Sequence, residues 1–292
     1  DFNNVTETLQ NKCNAEIADQ IKARSNVKVV LIAGPSSSGK TTTSKKLSMQ
    51  LEVLGYKPHV ISLDNYYVGR EKTPRDENGD YDYECLEALD VAQLNDHLLR
   101  LFKGEEIQVP SYDFKEGKQY FTGKTLKLSE RDILIMEGIH GLNDKLTHLI
   151  PDDTKFKIYL SALTQLNLDD HNRIPTSDNR LIRRIVRDSQ FRGKSAADTI
   201  KMWPSVQRGE RLHIFPFQNN ADAMLNTALD YELAVLRVYA VPLLRCVKPY
   251  EKEYAESSRL LRFLDNFYSI PSDCVPKQSI IREFIGGSEF KY

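Results

Sequence analysis

The residues from 33 to 44, AGPSSSGKTTTS, constrain the fold of this chain more than any other stretch. They hold the pattern Gly-x-x-x-x-Gly-Lys-Thr, in which backbone N–H groups curl around phosphate oxygens and the lysine reaches the outer phosphates. The pattern has this meaning only between a strand and a helix. The preceding run VKVVLIA (27–33) is apolar and β-branched, and Leu47, Leu51 and Leu54 follow at helical spacing. The sequence therefore predicts a P-loop.

Each residue of this loop has an expected task toward ATP. Lys40 is expected to reach the β- and γ-phosphates, and the Thr41 hydroxyl is expected to ligate Mg²⁺. The other ATP-binding candidates are Gly34, Ser36, Ser37, Ser38, Gly39 and Thr42. A flexible Ser/Gly linker is the ordinary alternative for such a string, and the flanking strand and helix patterns argue against it.

Apolar runs of strand length and of helix length alternate along the chain. Strands are predicted at 27–33, 57–63, 131–138, 155–161 and 241–247, and helices at 4–24, after Lys40, and at 88–104, 179–191 and 220–240. This alternation predicts a parallel sheet that is covered on both faces. We therefore expect an α/β P-loop NTPase fold with a mainly parallel five-stranded sheet, a small β-rich excursion around 105–130 and a helical lid.

Composition argues against several classes of protein. The 292 residues carry a net charge of −1, which argues against a general binder of nucleic acid or of membrane surfaces. No apolar run is long enough to cross a bilayer, and no signal-peptide pattern opens the chain. The scattered cysteines lack metal-site or disulfide spacing, so reduced thiols and a cytoplasmic location are expected. Because the chain begins at Asp1 rather than Met, upstream sequence is expected as well.

Two carboxylates are predicted at the sheet edge that faces the ligand in an open parallel sheet. Asp64 ends the second predicted strand, where it can take a proton from an attacking hydroxyl or help to hold Mg²⁺. Glu137 closes the run ILIMEG, where it can orient Mg²⁺ or its waters. The ordinary alternatives are a turn aspartate for the first and a surface strand end for the second.

One face of the predicted helix at 179–191 carries arginines at positions i, i+3, i+4 and i+7, namely Arg180, Arg183, Arg184 and Arg187. This crowding of cations requires an anionic partner. One alternative is a lid that clamps a phosphoryl group, which the flanking Arg173 and Arg192 favour. The other is a solvated face neutralised by nearby aspartates, namely Asp169, Asp170, Asp178 and Asp188.

A P-loop by itself is compatible with a GTPase switch, a phosphotransferase or an ATP-binding regulator. The Asn/Thr-Lys-x-Asp motif that recognises guanine in a switch does not occur in the sequence. A regulator without an acceptor would need neither Asp64 nor the arginine face. The residues therefore favour phosphoryl transfer and leave the acceptor open.

Five motifs follow one another as in the uridine kinase branch of the uridine kinase/phosphoribulokinase family: GPSSSGKTT, SLDNYY, VPSYDF, MEGI and NRLIRRIVRDSQFRG. The resemblance covers roughly residues 28 to 245. It implies an enzyme that transfers the γ-phosphoryl of ATP, with Mg²⁺, to the 5′-hydroxyl of a nucleoside, uridine or cytidine above all. The closing REFIGGS resembles bacterial members that carry an extra N-terminal domain.

The resemblance also implies roles for single residues. Asp64 would be the base, Tyr67 would lie beside it, and Tyr112 would stack near the nucleobase. Tyr83 and Glu84 fall where the family has an aromatic residue and an aspartate that grips the ribose hydroxyls. The family's lid arginines correspond to Arg180, Arg183 and Arg187. The expected catalytic set is Asp64, Lys40, Arg183 and Arg187, and Arg180 is expected on the substrate side.

Some residues depart from the family pattern. Gly117 stands where pyrimidine kinases usually have a histidine after YDF, and the run 84–87 reads Glu-Cys-Leu-Glu rather than Asp-His-Pro-Asp. His140, in EGIHG, is closer to the phosphoribulokinase branch, and residues 162–178 lengthen the approach to the lid. A sugar or sugar phosphate is therefore the alternative acceptor, and a regulatory module without an acceptor is the third interpretation.

These features divide the chain into three expected parts. Residues 1–27 form a lead-in helix, residues 28–247 the P-loop kinase domain, and residues 248–292 a helical C-terminal appendage. The expected partner is a small nucleoside. A homo-oligomer and an upstream domain of the same chain are further partner hypotheses.

Overall fold

The computed structural model of the chain describes residues 2–77, 79–164 and 174–292. Within these ranges the strands are β1 (Val29–Ala33), β2 (Lys57–Ser62), β3 (Ile107–Asp113), β4 (Lys118–Leu126), β5 (Asp132–Glu137), β6 (Lys155–Ser161) and β7 (Ala223–Asn226). The α-helices are α1 (Phe2–Ala23), α2 (Lys40–Val53), α3 (Val91–Phe102), α4 (Thr176–Arg192), α5 (Ala196–His213), α6 (Glu232–Arg245), α7 (Tyr254–Leu264) and α8 (Arg282–Ile285).

The main sheet has five strands in the order β2-β5-β1-β6-β7, and each neighbouring pair runs parallel. The predicted α/β fold of a P-loop NTPase is therefore confirmed. Because parallel strands end at a common edge, the segments that follow β1, β2 and β5 meet at one side of the sheet. The P-loop and Asp64 lie in these segments and Glu137 ends β5, so the topology gathers the residues that the motifs singled out.

The central strand β1 is buried on both faces, which explains its unbroken apolar sequence. Val30 and Ile32 pack on one face against α1 and α2. Val29 and Leu31 pack on the other face, in the cluster that includes α3 and β3. The P-loop therefore starts from a strand whose position is fixed from both sides.

The predicted β-rich excursion is confirmed as a hairpin of β3 and β4, which pair antiparallel. Its turn depends on Gly117, whose φ of 68° lies in the left-handed region and whose N–H donates to the Asp113 carbonyl at 2.7 Å. The hairpin stands beside the carboxyl end of β2, so it borders the site edge of the sheet.

The predicted helical lid corresponds to α4 and α5, which pack with α6, α7 and α8 around a second large core. Trp203 is buried in this core. The Arg180 guanidinium lies over its ring, 5.3 Å from the centroid. Residues from the closing part of the chain, such as Leu260 and Phe284, fill the same core.

The predicted helix at 220–240 begins only at Glu232, and the predicted strand at 241–247 is wrong. Residues 223–226 form the edge strand β7, which pairs with β6, and α6 continues through the apolar run that resembled a strand. The sequence AMLN gave no strand signal because Ala, Met and Leu favour helices and only Leu225 is buried. The helical pattern of α6 is visible in its buried positions Leu233, Leu236, Ala240 and Leu244.

Several predictions concern residues outside the described ranges. Asp169, Asp170 and Arg173 lie there, as does most of the lengthened approach at 162–178.

Cys13, Cys85, Cys246 and Cys274 are free thiols. Across the residues that the structure describes, none of the helices combines the length and the apolar character needed to traverse a membrane.

Candidate active site

The P-loop has the backbone geometry that its glycines predict. At Gly34, an added Cβ would lie 2.6 Å from the Leu160 carbonyl oxygen, so only glycine allows this approach to β6. Gly39 has a φ of 83° and precedes α2 as its N-cap, with no side-chain capping bond. Ser37 also has a positive φ, 59°, which is uncommon outside glycine. The loop is therefore a strained turn that leads directly into a helix N-terminus.

Residues from distant parts of the chain hold the loop from behind. Arg180 Nη1 donates to the Ser36 carbonyl and Arg183 Nη1 to the Ser37 carbonyl, each at 3.1 Å. Thr227 Oγ1 donates to the Ser38 carbonyl at 2.6 Å. Among the described residues, the N–H groups of Ser37, Gly39 and Lys40 have no acceptor. Carbonyls that are bonded behind the loop, with N–H groups left free, are what a phosphate cradle requires.

Lys40 curls back over this loop. Its ammonium donates to the carbonyl oxygens of Gly34 at 3.0 Å and of Pro35 at 3.3 Å. The Lys40 charge also reaches two carboxylates, because it opposes the burial that raises the pKa values of Asp64 and Glu137. The cation expected on the outer phosphates is therefore close to the acids expected at the reaction centre.

Glu137 ends β5, as predicted, whereas Asp64 lies just beyond the end of the neighbouring strand β2. Asp64 lies in the 3₁₀ turn Leu63–Tyr66 directly after β2, with its N–H donating to Ser62 Oγ at 3.3 Å. Glu137 is the last residue of β5 and pairs in register with Ser62. Burial, reinforced by the nearby charge of Asp64, raises the pKa of Glu137 to about 7. The sheet edge thus holds two acids that destabilise one another unless a cation lies between them.

The arginine face of α4 divides into two groups. In the first, which we call the paired arginines, Arg180 and Arg183 each meet one buried glutamate. Arg180 Nη2 lies 2.8 Å from Glu210 Oε2, and Arg183 Nη2 lies 2.6 Å from Glu232 Oε2. The Arg183 and Glu232 side chains are both fully buried, 0% exposed. These charges are matched one to one and support the P-loop backbone.

The second group, which we call the shared arginines, comprises Arg184, Arg187 and Arg192. All of them contact the single carboxylate of Asp188, at 3.3, 2.9 and 3.7 Å respectively. Arg184 Nη1 also donates to Ser36 Oγ of the P-loop at 2.7 Å. Of the predicted lid arginines, Arg187 therefore belongs to this group, while Arg180 and Arg183 lie behind the loop. The shared arginines leave an excess of positive charge beside the phosphate site.

On the other side of Asp64 lies a cluster of aromatic rings. Tyr67 is its centre, with ring centroids at 5.9 Å from Tyr83, 5.5 Å from Tyr112 and 6.2 Å from Phe114. The Tyr67 hydroxyl donates to the Tyr83 carbonyl at 3.1 Å. The Tyr112 hydroxyl is buried and has no hydrogen-bond partner among the described residues. An orphaned hydroxyl of this kind is a group that a bound molecule can satisfy.

Glu84 lies between the shared arginines and these rings. A Cβ added to Gly209 of α5 would lie only 2.7 Å from the Glu84 Cβ. This glycine therefore lets the Glu84 side chain pack against the lid. Burial raises the pKa of Glu84 to about 7, and the Arg184 charge opposes that effect. The Glu84 charge in turn contributes to the raised pKa of Tyr67. The structure therefore brings Glu84, Tyr67, Tyr83 and Tyr112 together, as the motifs implied.

The departure at Gly117 has a physical basis. A Cβ at this position would lie 2.6 Å from Arg70 Nε, so the arginine side chain takes the space that a larger residue would need. Arg70 Nη2 donates to the carbonyls of Phe114 at 3.2 Å and Lys115 at 3.0 Å. An arginine from the turn at Arg70–Lys72, held by hairpin carbonyls, therefore lies where the family usually has a histidine.

His140 lies below the run 84–87 and contacts His213 edge to face, with ring centroids 5.8 Å apart. It is 1% exposed. Burial, reinforced by His213, lowers the pKa of His140 to about 4. His140 is therefore neutral at pH 7, and its contacts are those of a packed residue beneath the acceptor side.

The sequence analysis missed three residues that help to hold the loop, namely Glu210, Thr227 and Glu232. Each lies in a stretch without a recognisable motif, far along the chain from the loop that it holds. Glu283 was missed as well, although its carboxylate accepts a hydrogen bond from the Thr42 N–H at 3.2 Å. The only available signal was that each glutamate, once buried, would need a cation to balance its charge.

The donors at the loop and sheet edge fit Mg²⁺. Thr41 and Glu137 would hold it, and the repulsion between Asp64 and Glu137 is what a divalent cation relieves. No group of three or more His, Cys, Asp or Glu side chains in the described ranges could enclose a metal ion.

A comparison with protein families identifies the lineage of this site. Residues 29–234 match the model of the Phosphoribulokinase / Uridine kinase family. The chain belongs to this family. The match covers more than half of the chain and contains the P-loop, both carboxylates and the arginine helix. The chain is accordingly a phosphotransferase with an alcohol acceptor.

Individual proteins are similar to this chain. A uridine kinase of Staphylococcus haemolyticus is 29% identical over 211 residues, which cover 72% of this chain and 92% of the relative. A uridine kinase of Staphylococcus aureus is 29% identical over 180 residues, covering 62% and 77%. The solved structure of a possible uridine kinase from Bacillus stearothermophilus covers 72% of this chain and 100% of its own, with 23% identity and a TM-score of 0.43.

Proposed function

We propose that this protein is a nucleoside kinase that transfers the γ-phosphoryl of ATP to the 5′-hydroxyl of uridine or cytidine. The observation that carries the proposal is the aromatic cluster beside Asp64, in which the Tyr112 hydroxyl is buried without a partner. The phosphate half of the site would be common to any kinase of the family. The acceptor half is what favours a nucleoside.

The aromatic cluster suits a planar base. Tyr67, Tyr112 and Phe114 present ring faces and edges within 5.1 to 6.2 Å of one another. Stacking of a base on such rings contributes about 1–3 kcal/mol and tolerates different bases. The free Tyr112 hydroxyl can bond a polar edge of that base. A pyrimidine would therefore satisfy both the apolar and the polar demands of this pocket.

Charge on the acceptor side disfavours a sugar phosphate. Glu84 and Asp64 are both acidic, and their charges act on the same tyrosine, Tyr67. Arg70, a cation in the turn at Arg70–Lys72, already donates to two backbone carbonyls of the hairpin. A phosphorylated acceptor would bring a dianion against these carboxylates. A neutral ribose instead offers hydroxyl groups that can donate hydrogen bonds to Glu84.

The reaction follows from the order of groups across the site. The acceptor 5′-hydroxyl lies at Asp64, whose carboxylate takes its proton as the oxygen bonds to the γ-phosphorus. The bond from that phosphorus to the β–γ bridging oxygen breaks, and ADP leaves. Lys40 and the shared arginines neutralise the charge on the transferring group, because stabilising that charge is most of the catalysis. Thr41 and Glu137 would hold Mg²⁺, which when bound would supply further neutralisation of the phosphate charge.

Within this mechanism the predicted arginines take different roles. We assign Arg187, with Arg184 and Arg192, to the transferring phosphoryl group. We assign Arg180 and Arg183 to positioning the P-loop, because buried glutamates and loop carbonyls occupy their guanidinium groups. We also propose a cytoplasmic location, in keeping with four free thiols.

The test is a panel of acceptors at saturating Mg-ATP: uridine, cytidine, deoxyuridine, adenosine and ribulose 5-phosphate, each scored as kcat/KM. We expect uridine and cytidine to be used best. Deoxyuridine should lose a large factor, because a buried group that bonds the 2′-hydroxyl is left unpaired. Adenosine should be rejected less strongly than deoxyuridine, since Gly117 replaces a base-reading side chain.

Two outcomes would contradict the proposal. If ribulose 5-phosphate were the only good acceptor, the site would belong to a sugar phosphate kinase and the role of the aromatic cluster would be wrong. If none of the five compounds were phosphorylated while ATP still bound, a regulatory module would replace the enzyme in our interpretation.

A further inference from the structure

Residues 279–292, which we call the closing segment, reach the first turn of α2. Glu283 Oε2 accepts hydrogen bonds from the Thr42 N–H at 3.2 Å and from Thr42 Oγ1 at 2.6 Å. The Tyr292 hydroxyl lies 2.9 Å from the same Thr42 Oγ1. A carboxylate from the far end of the sequence therefore sits at the start of the P-loop helix.

The closing segment is anchored where it makes this contact. Ile280, Ile281 and Phe284 are all 0% exposed. Ile280 Cγ2 lies 2.9 Å from the position of a Cβ on Gly39, so the segment touches the P-loop itself. The Arg183 guanidinium lies over the Phe284 ring, 5.1 Å from its centroid. The core thus anchors the backbone of the segment that carries Glu283.

The site that Glu283 occupies is one that phosphate uses. Backbone N–H groups at the start of a P-loop helix bind the α- and β-phosphates of a nucleotide, helped by the positive end of the helix dipole. Thr42 is the third residue of α2, and α2 has no side-chain cap of its own. Among the described residues, Glu283 forms no ion pair within 4.0 Å. Its carboxylate is held by the donors that a phosphate oxygen would take.

We propose that Glu283 is a self-inhibitory residue that occupies a nucleotide phosphate position, so that ATP binds only when this carboxylate withdraws. The proposal rests on nucleotide binding at the P-loop, as in the proposed function. A carboxylate and a phosphate compete for one N–H group, and their negative charges repel. The protein therefore divides between a form closed by Glu283 and a form open to nucleotide.

The test compares Glu283→Gln with Glu289→Gln, a matched change on the same segment whose carboxylate bonds Gln278. Affinity for Mg-ADP and for inorganic triphosphate is measured by calorimetry without an acceptor. We expect Glu283→Gln to bind both about tenfold more tightly than the parent, as follows if the open form is roughly a tenth of the population. Glu289→Gln should match the parent.

Unchanged or weaker binding by Glu283→Gln would overturn the inference, because the glutamate would then cap α2 or serve the nucleotide. Urea unfolding checks that the variant is folded. If it is not, Glu283→Asp decides, since it keeps the charge but withdraws it from Thr42 and should also bind more tightly. The acceptor panel is independent: uridine phosphorylation with unchanged Glu283→Gln affinity would refute self-inhibition and leave the nucleoside kinase proposal intact.

Discussion

The paired and the shared arginines of α4 come from one helix and one run of sequence, yet they meet opposite electrostatic conditions. Arg180 and Arg183 each have their own buried glutamate and donate to P-loop carbonyls. The shared arginines divide one aspartate, Asp188, among three cations. Matched charges belong to the folded structure itself, whereas unmatched charges need a ligand. The number of acidic partners, rather than the presence of an arginine, therefore distinguishes structural arginines from arginines available to a ligand.

The largest effect that this comparison predicts is on stability. Arg183→Met should lower the free energy of unfolding by about 3–5 kcal/mol, because it leaves Glu232 buried without its cation. Urea unfolding of the nucleotide-free protein measures this loss. The double variant Arg183→Met/Glu232→Gln should regain part of it, since the uncompensated charge is gone. If Arg183→Met unfolded at the parent's urea concentration, the pairing would have no structural role.

The next effect is on catalysis. Arg187→Met should reduce kcat about 10²–10³-fold, the usual loss when one group that stabilises transition-state charge is removed. Its unfolding midpoint should stay near the parent's, because Asp188 keeps two other arginines. Arg24→Met serves as the control, since Arg24 pairs with Asp222 away from the P-loop. Turnover within a few-fold of the parent would place Arg187 with the structural group.

The smallest predicted effect is on the pH dependence of stability, and it concerns a buried acid rather than an arginine. Glu137 is buried like Glu232 but forms no ion pair among the described residues, and its pKa is raised to about 7 from an ordinary 4.5. A raised acid pKa stabilises the fold at low pH, and that stability is lost as the pH rises through 7. Without Mg²⁺ and nucleotide, the parent should therefore lose stability between about pH 4.5 and 8.

Glu137→Gln should flatten this dependence and should be more stable than the parent at pH 8 by about 1–3 kcal/mol. Thermal unfolding across this pH range gives the comparison. Glu130→Gln, at an exposed position just before β5, should follow the parent. A Glu137→Gln profile that is as steep as the parent's would assign the pH dependence to other acids, Glu84 first.

The sequence was most informative where function depends on neighbours in the chain. The P-loop and Asp64 follow strands and Glu137 ends one, and the parallel sheet rule then places them together. The division of the arginines could not be predicted in this way. Helical spacing correctly put Arg180, Arg183 and Arg187 on one face, but their roles depend on Glu210, Glu232 and Asp188. Two of these partners come from other helices, which no local pattern reveals.

The same limit explains the errors around β7 and α6. An edge strand of four residues is set by pairing with β6 rather than by its own propensity. On the acceptor side, the tyrosines and Glu84 were located through the family resemblance, and the structure gathers them around Tyr67. What the sequence could not indicate is the orphaned Tyr112 hydroxyl, because burial without a partner exists only after folding.

The supports of the P-loop have a consequence for how this protein reaches its native state. The loop ends at residue 41, whereas the groups that hold or touch it lie at 180–183, 210, 227 and 283, so the contacts span about half the chain or more. Closing such long loops is entropically costly and slows folding. A partly folded chain that contained only β1, β2 and β5 would have the motif but no rigid cradle. Nucleotide binding is thus acquired late, as a property of the whole chain.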